Sequence, residues 1–160
     1  MKRWSKIRYK LENEYLADSL KGRIKYFVTS YNRSDHDGRA SILLDGHEII
    51  EGSYWEQWSK SHLLPKDENY KYRYNFAIMD DIALQFGQFD HWCFYRAFDE
   101  FDNQSIEKSL SSEDAIVRVF ALLDRRTGKK RLRAMKDTIH NEGEVFRTFF
   151  NIRATAEGIL

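Results

Sequence analysis

The sequence predicts an α+β fold: an N-terminal helix, a three-stranded antiparallel β-meander, and an all-helical C-terminal two-thirds packed on the sheet. Three observations predict it. Asp45-Gly46 stands between two short apolar runs, the preferred pair for a two-residue hairpin turn because both positions need positive φ. Beyond residue 66, Tyr70, Tyr74, Ile78, Ile82 and Phe86 recur at helical spacing up to Gly87. Cap residues then punctuate the apolar stripes that follow, with Asp90, Ser105 and Ser111 or Ser112 each preceding one.

Taken in order, Ser5 reads as an N-cap, with Trp4 placed to staple against Tyr9. Ile7, Leu11 and Tyr15 continue that helix over 5–20, and Gly22 stops it. Arg23–Tyr31 alternates as a strand, with Ile24, Tyr26 and Val28 on one face and Phe27, Thr29 and Tyr31 on the other. A turn-rich Asn32–Gly38 leads to a second strand, Arg39–Leu44. A two-residue hairpin loop then sets Leu44 opposite His47 and Ile42 opposite Ile49. Three such strands are not stable alone, so helices must cover at least one face.

Ser53-Tyr54-Trp55-Glu56 is a capping box for a short helix that stops before Pro65. Tyr70 to Phe86 reads as a long helix, and the alternation Tyr70, Tyr72, Tyr74, Phe76 leaves a strand as the other reading there. After Asp90, Phe94, Phe98 and Phe101 form an inward stripe; Ile116, Phe120 and Leu123 form another, ended by Gly128. Lys129–Lys136 continues helically, and Asn141 with Glu144 resembles a cap for a last helix through Val145, Phe149, Ile152 and Ala156. No repeat or linker separates 1–66 from 67–160, and a length of 160 residues fits one domain over 1–160.

Hydrophobic residues make up 42% of the chain and charged residues 32%, enough apolar material for a core and too much for disorder. Aromatic residues reach 15%, which favours a core built on rings. A lone Cys93 cannot form an intrachain disulfide, so nothing points to an oxidising compartment. The start, MKRWSKIRYKLENEYL, is broken by charges throughout and has no signal-peptide apolar core. No apolar run of about 18 residues exists, so no membrane span is expected and the cytoplasm is the default.

Net charge is +1, below the strongly basic balance of a dedicated nucleic-acid domain. Its distribution is uneven. Residues 2–25 carry eight Lys or Arg against three acids, and 67–107 carry nine acids against three bases. Residues 124–136 then carry seven bases against one acid.

Several short strings occur together: Arg3-Trp4-Ser5-Lys6, Ser19-Leu20-Lys21-Gly22-Arg23, Asp37-Gly38-Arg39-Ala40, Ala121 to Leu132 (ALLDRRTGKKRL), and Arg153 to Gly158 (RATAEG). In order and spacing they resemble an uncharacterised family of small bacterial proteins of unknown function, some carried as mobile gene cassettes. The resemblance spans nearly the whole chain and implies a bacterial origin. It implies no activity and therefore assigns no catalytic residue.

The segment 124–136 concentrates charge beyond an ordinary surface. Gly128 breaks the helix, and Arg125, Arg126, Lys129, Lys130, Arg131 and Arg133 flank the break. A helix start offers free N–H groups and the cations supply charge, a combination suited to phosphate or to an acidic partner. The plainer reading is a solvated face, or Asp124 paired with Arg125 or Arg126 to lock the turn.

Other chemistry is thin. Asp35-His36-Asp37 has metal-capable side chains, but three adjacent residues do not converge on one ion. His47, His62, His91 and His140 stand alone, and no metal site, cofactor motif or catalytic residue is assigned. Cys93 lies among aromatics, where burial raises its pKa and makes it inert. Asp80-Asp81 and Asp99-Glu100 read as solvation of helix surfaces. The rings from Tyr54 to Phe101 read as core first and as a partner face second, with a homodimer that hides the surplus between the two. The expectation is a non-catalytic interaction module whose contact site is the basic corner, meeting a protein partner or a second copy. Nucleic acid at the same corner is the alternative, and an enzyme with an unrecognised site is third.

Overall fold

The computed structural model describes residues 3–29, 38–53 and 79–160. It is α+β, as the hairpin signal and helical spacing imply. β1 (Ile24–Thr29), β2 (Arg39–Leu44) and β3 (His47–Ser53) form one antiparallel sheet in that order. Asp45 and Gly46 turn the second hairpin with φ of 51° and 85°, the left-handed pair that a type I′ turn requires. Leu44 pairs with His47 as expected. Ile42, however, pairs with Ile50 and not with Ile49, because a bulge between Ile42 and Leu43 inserts one residue. The extra residue, Ile49, is left at the surface.

Alternation in β1 sorts its side chains by face. Ile24, Tyr26 and Val28 are buried, whereas Phe27 stays 43% exposed. The buried face carries the aromatic core. Tyr26 meets Phe94 and Phe120 at centroid distances of 5.9 and 5.7 Å, and Phe94 meets Phe120 at 5.3 Å. These edge-on pairs tie the sheet to α3 (His91–Asp102) and α5 (Ala115–Leu123).

The N-terminal helix departs from expectation. α1 covers only Trp4–Tyr9, a π-helical turn follows over Lys10–Glu14, and a 3₁₀ turn over Asp18–Leu20. Arg3, not Ser5, is the N-cap. The Trp4–Tyr9 staple does not form: Trp4 packs edge-on to Phe94 at 5.4 Å, while Tyr9 is exposed. The wider π turn, closed by Tyr15 N donating to Lys10 O, lets the adjacent Leu11 and Glu12 both turn inward.

α2 (Asp81–Gln85) is short, with Asp80 accepting from Ala83 N. The long helix expected over 70–86 is therefore interrupted at Asp80 in its described part, since an Asp in extended conformation starts a new helix. Residues 70–78, the 53–64 capping-box helix beyond Ser53, His62 and the Asp35-His36-Asp37 loop lie outside the described residues. Asp90 caps α3 through Cys93 N at 2.9 Å, and Ser105 caps α4 (Ile106–Leu110), both as read from the sequence. α5 is capped by Asp114 and not by Ser111 or Ser112; its carboxylate takes the N–H groups of Ile116 and Val117. Ser112 instead serves Asp114 N and Glu100.

α6 (Lys129–Lys136) matches its predicted limits. α7 (Glu144–Ala156) is capped by Gly143, not Asn141. Asp81 reaches across to the start of α7, accepting from Val145 N. Asp80 and Asp81 thus hold helix ends in place of the solvating role expected of them. No described helix is long and apolar enough to cross a membrane.

Candidate functional site: the basic corner at Gly128

Residues 124–128 connect α5 to α6. α5 ends at Leu123, and Asp124 leaves it in extended conformation. Gly128 therefore does not end α5; it is the N-cap of α6. The turn is fastened from both sides. Ala17 N donates to Leu123 O, Arg125 N donates to Tyr15 O, and Leu16 bridges Asp124, so the segment after the π turn pairs with the corner like a short strand.

Side chains finish the job. The wholly buried Asp124 carboxylate accepts from Arg126 N at 2.6 Å and from the Arg126 guanidinium at 2.8 and 3.1 Å. The Arg126 guanidinium lies 5.1 Å from the Tyr15 ring centroid and 5.7 Å from that of Phe101, within cation–π range on a side chain that stays partly in water. Arg153, buried in α7, donates Nη1 to Leu122 O at 2.7 Å and to Asp124 O at 2.8 Å. Its Nη2 reaches Thr127 O at 2.9 Å and its Nε pairs with Glu157 at 2.9 Å. Thr127 is also buried and donates to Ala121 O, closing the last turn of α5. One guanidinium thus satisfies two carbonyls at the end of α5 and a third in the turn that follows it.

The six predicted contact residues divide. Arg126 is committed to Asp124, and Arg131 pairs with Glu107 of α4 at 2.9 Å. Arg125, Lys129, Lys130 and Arg133 are exposed and make no ion pair among the described residues. Arg125 feels Asp18 and Lys129 feels Glu157 only through space. On α6, Lys129, Lys130 and Arg133 point outward while Leu132 is wholly buried.

The start of α6 runs against the usual rules of helix stability. No side chain caps it, its first turn holds no acid, and Lys129, Lys130 and Arg131 occupy that turn. Cations there face the positive end of the helix dipole. Gly128 is exposed, and a Cβ on it would meet nothing within 4 Å, so the space beside this uncapped helix start is open.

A family model matches residues 3–154. The chain belongs to the SF0329 protein family. No curated protein and no solved structure matches it. In this SF0329-family chain, three of the strings noted in the sequence meet at one point. Ser19 donates to Glu157 at 2.7 Å, Glu157 pairs with Arg153, and Arg153 holds the Asp124–Thr127 turn. Sequence reading missed Arg153, Glu157 and Ser19 as partners of the corner. Only the charge of Arg153 within an apolar helix stripe signalled them.

Cys93, Tyr15 and His91 lie among the described residues and pack within the fold. Burial pushes the Cys93 thiol up to about 12, with Asp90 adding to the effect, so it is no nucleophile at neutral pH. Tyr15 is also raised to about 12, by burial and then by its hydrogen bond to Asp102. Lys10 shares Asp102 at 3.1 Å. His91 is buried beside Trp92 and Tyr95, and a side chain at Gly38 would collide with its imidazole.

Proposed function

We propose that this SF0329-family protein is a non-catalytic binding module of the bacterial cytoplasm, acting as one domain over 1–160. Its contact surface is formed by Arg125, Lys129, Lys130 and Arg133. The observation that carries the reading is the start of α6, where outward cations replace the acids and side-chain cap that helix stability favours. Anchoring by Arg153, Asp124 and Thr127 gives those cations a rigid base. An acidic protein surface suits them best. With Arg126 and Arg131 neutralised, the free set is smaller than the roughly six to ten phosphate contacts that give strong salt-dependent nucleic-acid binding.

The uncapped start of α6 favours a second reading, in which phosphates of a nucleic acid or other polyanion dock at the same corner. One experiment addresses both. The triple variant Lys129→Glu, Lys130→Glu, Arg133→Glu is compared with the parent for partner recovery from host lysate and for heparin retention across salt. Loss of one specific acidic partner in the variant supports the first reading. Steep salt-dependent heparin binding that the variant loses supports the second. Identical behaviour of parent and variant in both assays removes the corner as a binding site.

A further inference from the structure

A groove of about 300 Å³ lies between β3, α2 and α7 and shares no residue with the corner at Gly128. Its apolar walls are Ile49 and Ile50 of β3, Leu84 of α2, and Val145 and Phe149 of α7. An apolar cavity of about 150 Å³ already holds a benzene ring, so this groove has room for one long side chain.

Two carboxylates stand among these apolar groups, those of Asp81 and Glu144. Asp81 is fixed in place, because its Oδ2 accepts from Val145 N at 3.4 Å. Glu144 is exposed, and neither acid forms an ion pair among the described residues. An acid in the first turn suits the dipole of α7. That accounts for the charge of Glu144 but not for the apolar surface beside it.

The apolar surface is the second, independent pointer. The bulge between Ile42 and Leu43 leaves Ile49 facing the groove and 37% exposed; re-aiming a side chain is what a bulge at a sheet edge does. Ile82 lies one turn before Gln85, which also lines the groove, and is 45% exposed. Large apolar side chains scattered singly over a surface need no explanation, whereas on two walls of one groove they mark a contact surface.

We propose that the groove receives a basic and apolar segment of a protein partner, with one Lys or Arg side chain laid along it. The methylenes of that side chain cover Leu84, Val145 and Phe149, and its cationic head meets Asp81 and Glu144. Branched apolar residues flanking the cation cover Ile49 and Ile82. Charge complementarity selects this occupant. Two acids without a cation repel an acidic segment, and a wholly apolar segment would bury both carboxylates unpaired. A free amine would fill the groove and leave both isoleucines in water. The segment is opposite in charge to the partner of the corner at Gly128, and the proposal does not rest on that corner.

The test is an amide NMR titration of the full chain with the capped pentapeptide Ala-Leu-Arg-Leu-Ala. The amides of Ile49, Leu84 and Val145 are expected to shift, and those of 129–133 to stay in place. Glutamate in place of the peptide's arginine, or serine in place of both leucines, is expected to weaken binding at least about fivefold. Glu144→Gln is expected to weaken it about threefold and Ile49→Ser about fivefold, each with the rest of the spectrum intact. The cation alone, as n-butylguanidine, is expected to bind at least about tenfold more weakly than the pentapeptide. No groove shifts at millimolar peptide, equal binding of the arginine and glutamate peptides, or unchanged binding by Glu144→Gln would each overturn the proposal. Butylguanidine binding as tightly as the peptide would assign the groove to a small cation instead. Groove shifts on raising the protein concentration alone would assign it to a second copy of the chain, and either result overturns the proposal too.

Discussion

Arg153 and Asp124 meet through the backbone: the Arg153 guanidinium donates to the Asp124 carbonyl at 2.8 Å, while the Asp124 carboxylate is taken by Arg126. The two arginines therefore divide the work. Arg153 fixes where the chain leaves α5, and Arg126 neutralises the buried acid. Removing one partner of such a network leaves buried polar groups without compensation.

Arg153→Ala is accordingly expected to lower stability by about 3–5 kcal/mol, with three carbonyls and Glu157 losing their donor. Arg153→Lys keeps the charge but has no fork to reach all three carbonyls, and recovers only part of the loss. Urea denaturation of the two variants against the parent measures both. Equal midpoints for parent and Arg153→Ala would show that the corner does not need its clamp.

Asp114 gives a pH signature. Burial raises its carboxyl to about 6, against the N–H groups of Ile116 and Val117 that favour the ionised form. A folded pKa above the unfolded value of about 3.9 means that the folded state binds the proton more tightly. The associated stability is complete below about pH 4 and is lost as pH rises through about 6, by at most about 3 kcal/mol. Asparagine accepts the same N–H bonds without titrating. Asp114→Asn is therefore expected to gain on the parent at pH 7.5 and to lose most of that advantage at pH 4.5, measured by urea midpoints. A constant difference at both pH values would refute it.

These two residues mark the boundary of what sequence reading reaches. The hairpin at Asp45-Gly46, the caps Asp90 and Ser105, and the limits of α6 were legible because each depends on neighbours within four residues. The π turn at Lys10–Glu14 was not, because Glu12 turns inward to meet Lys25 and Tyr26 of β1. The bulge that moves Ile42 from Ile49 to Ile50 leaves no local signal either. At the corner, the Asp124–Arg126 pair spans two residues and was among the expected readings. The Arg131–Glu107 pair spans 24 residues and required the fold.

Gly143 and Asp81 form a second long-range joint. A Cβ at Gly143 would overlap the Asp81 carboxylate that accepts from Val145 N. Gly143→Ala is expected to cost about 1–3 kcal/mol, and much less in an Asp81→Ala background, where the obstacle is gone. A double-mutant cycle by chemical denaturation reads the coupling. Additive effects would mean that the two residues do not touch in solution.

Cys93 should report global opening. Its thiol is buried in α3 and raised to about 12, so an aromatic disulfide reagent at pH 8 meets almost no exposed thiolate in the native state. Labelling is expected to follow the unfolding rate, and to accelerate in Arg153→Ala in proportion to its destabilisation. Rapid, stoichiometric labelling of the folded parent would contradict the burial.

Gly128 allows stability and binding to be separated at one position. Its φ of −80° suits any residue, and a side chain there meets nothing within 4 Å. An aspartate would cap the first amides of α6 and oppose Lys129, Lys130 and the helix dipole with a negative charge. Gly128→Asp is thus expected to raise stability by up to about 1 kcal/mol while weakening anion binding at the corner severalfold. Thermal unfolding measures the first, and salt elution from heparin or affinity for the acidic partner measures the second. If stability rises and binding is untouched, the open start of α6 is not where the partner docks. If stability falls, the N-terminal amides of α6 are already satisfied in solution.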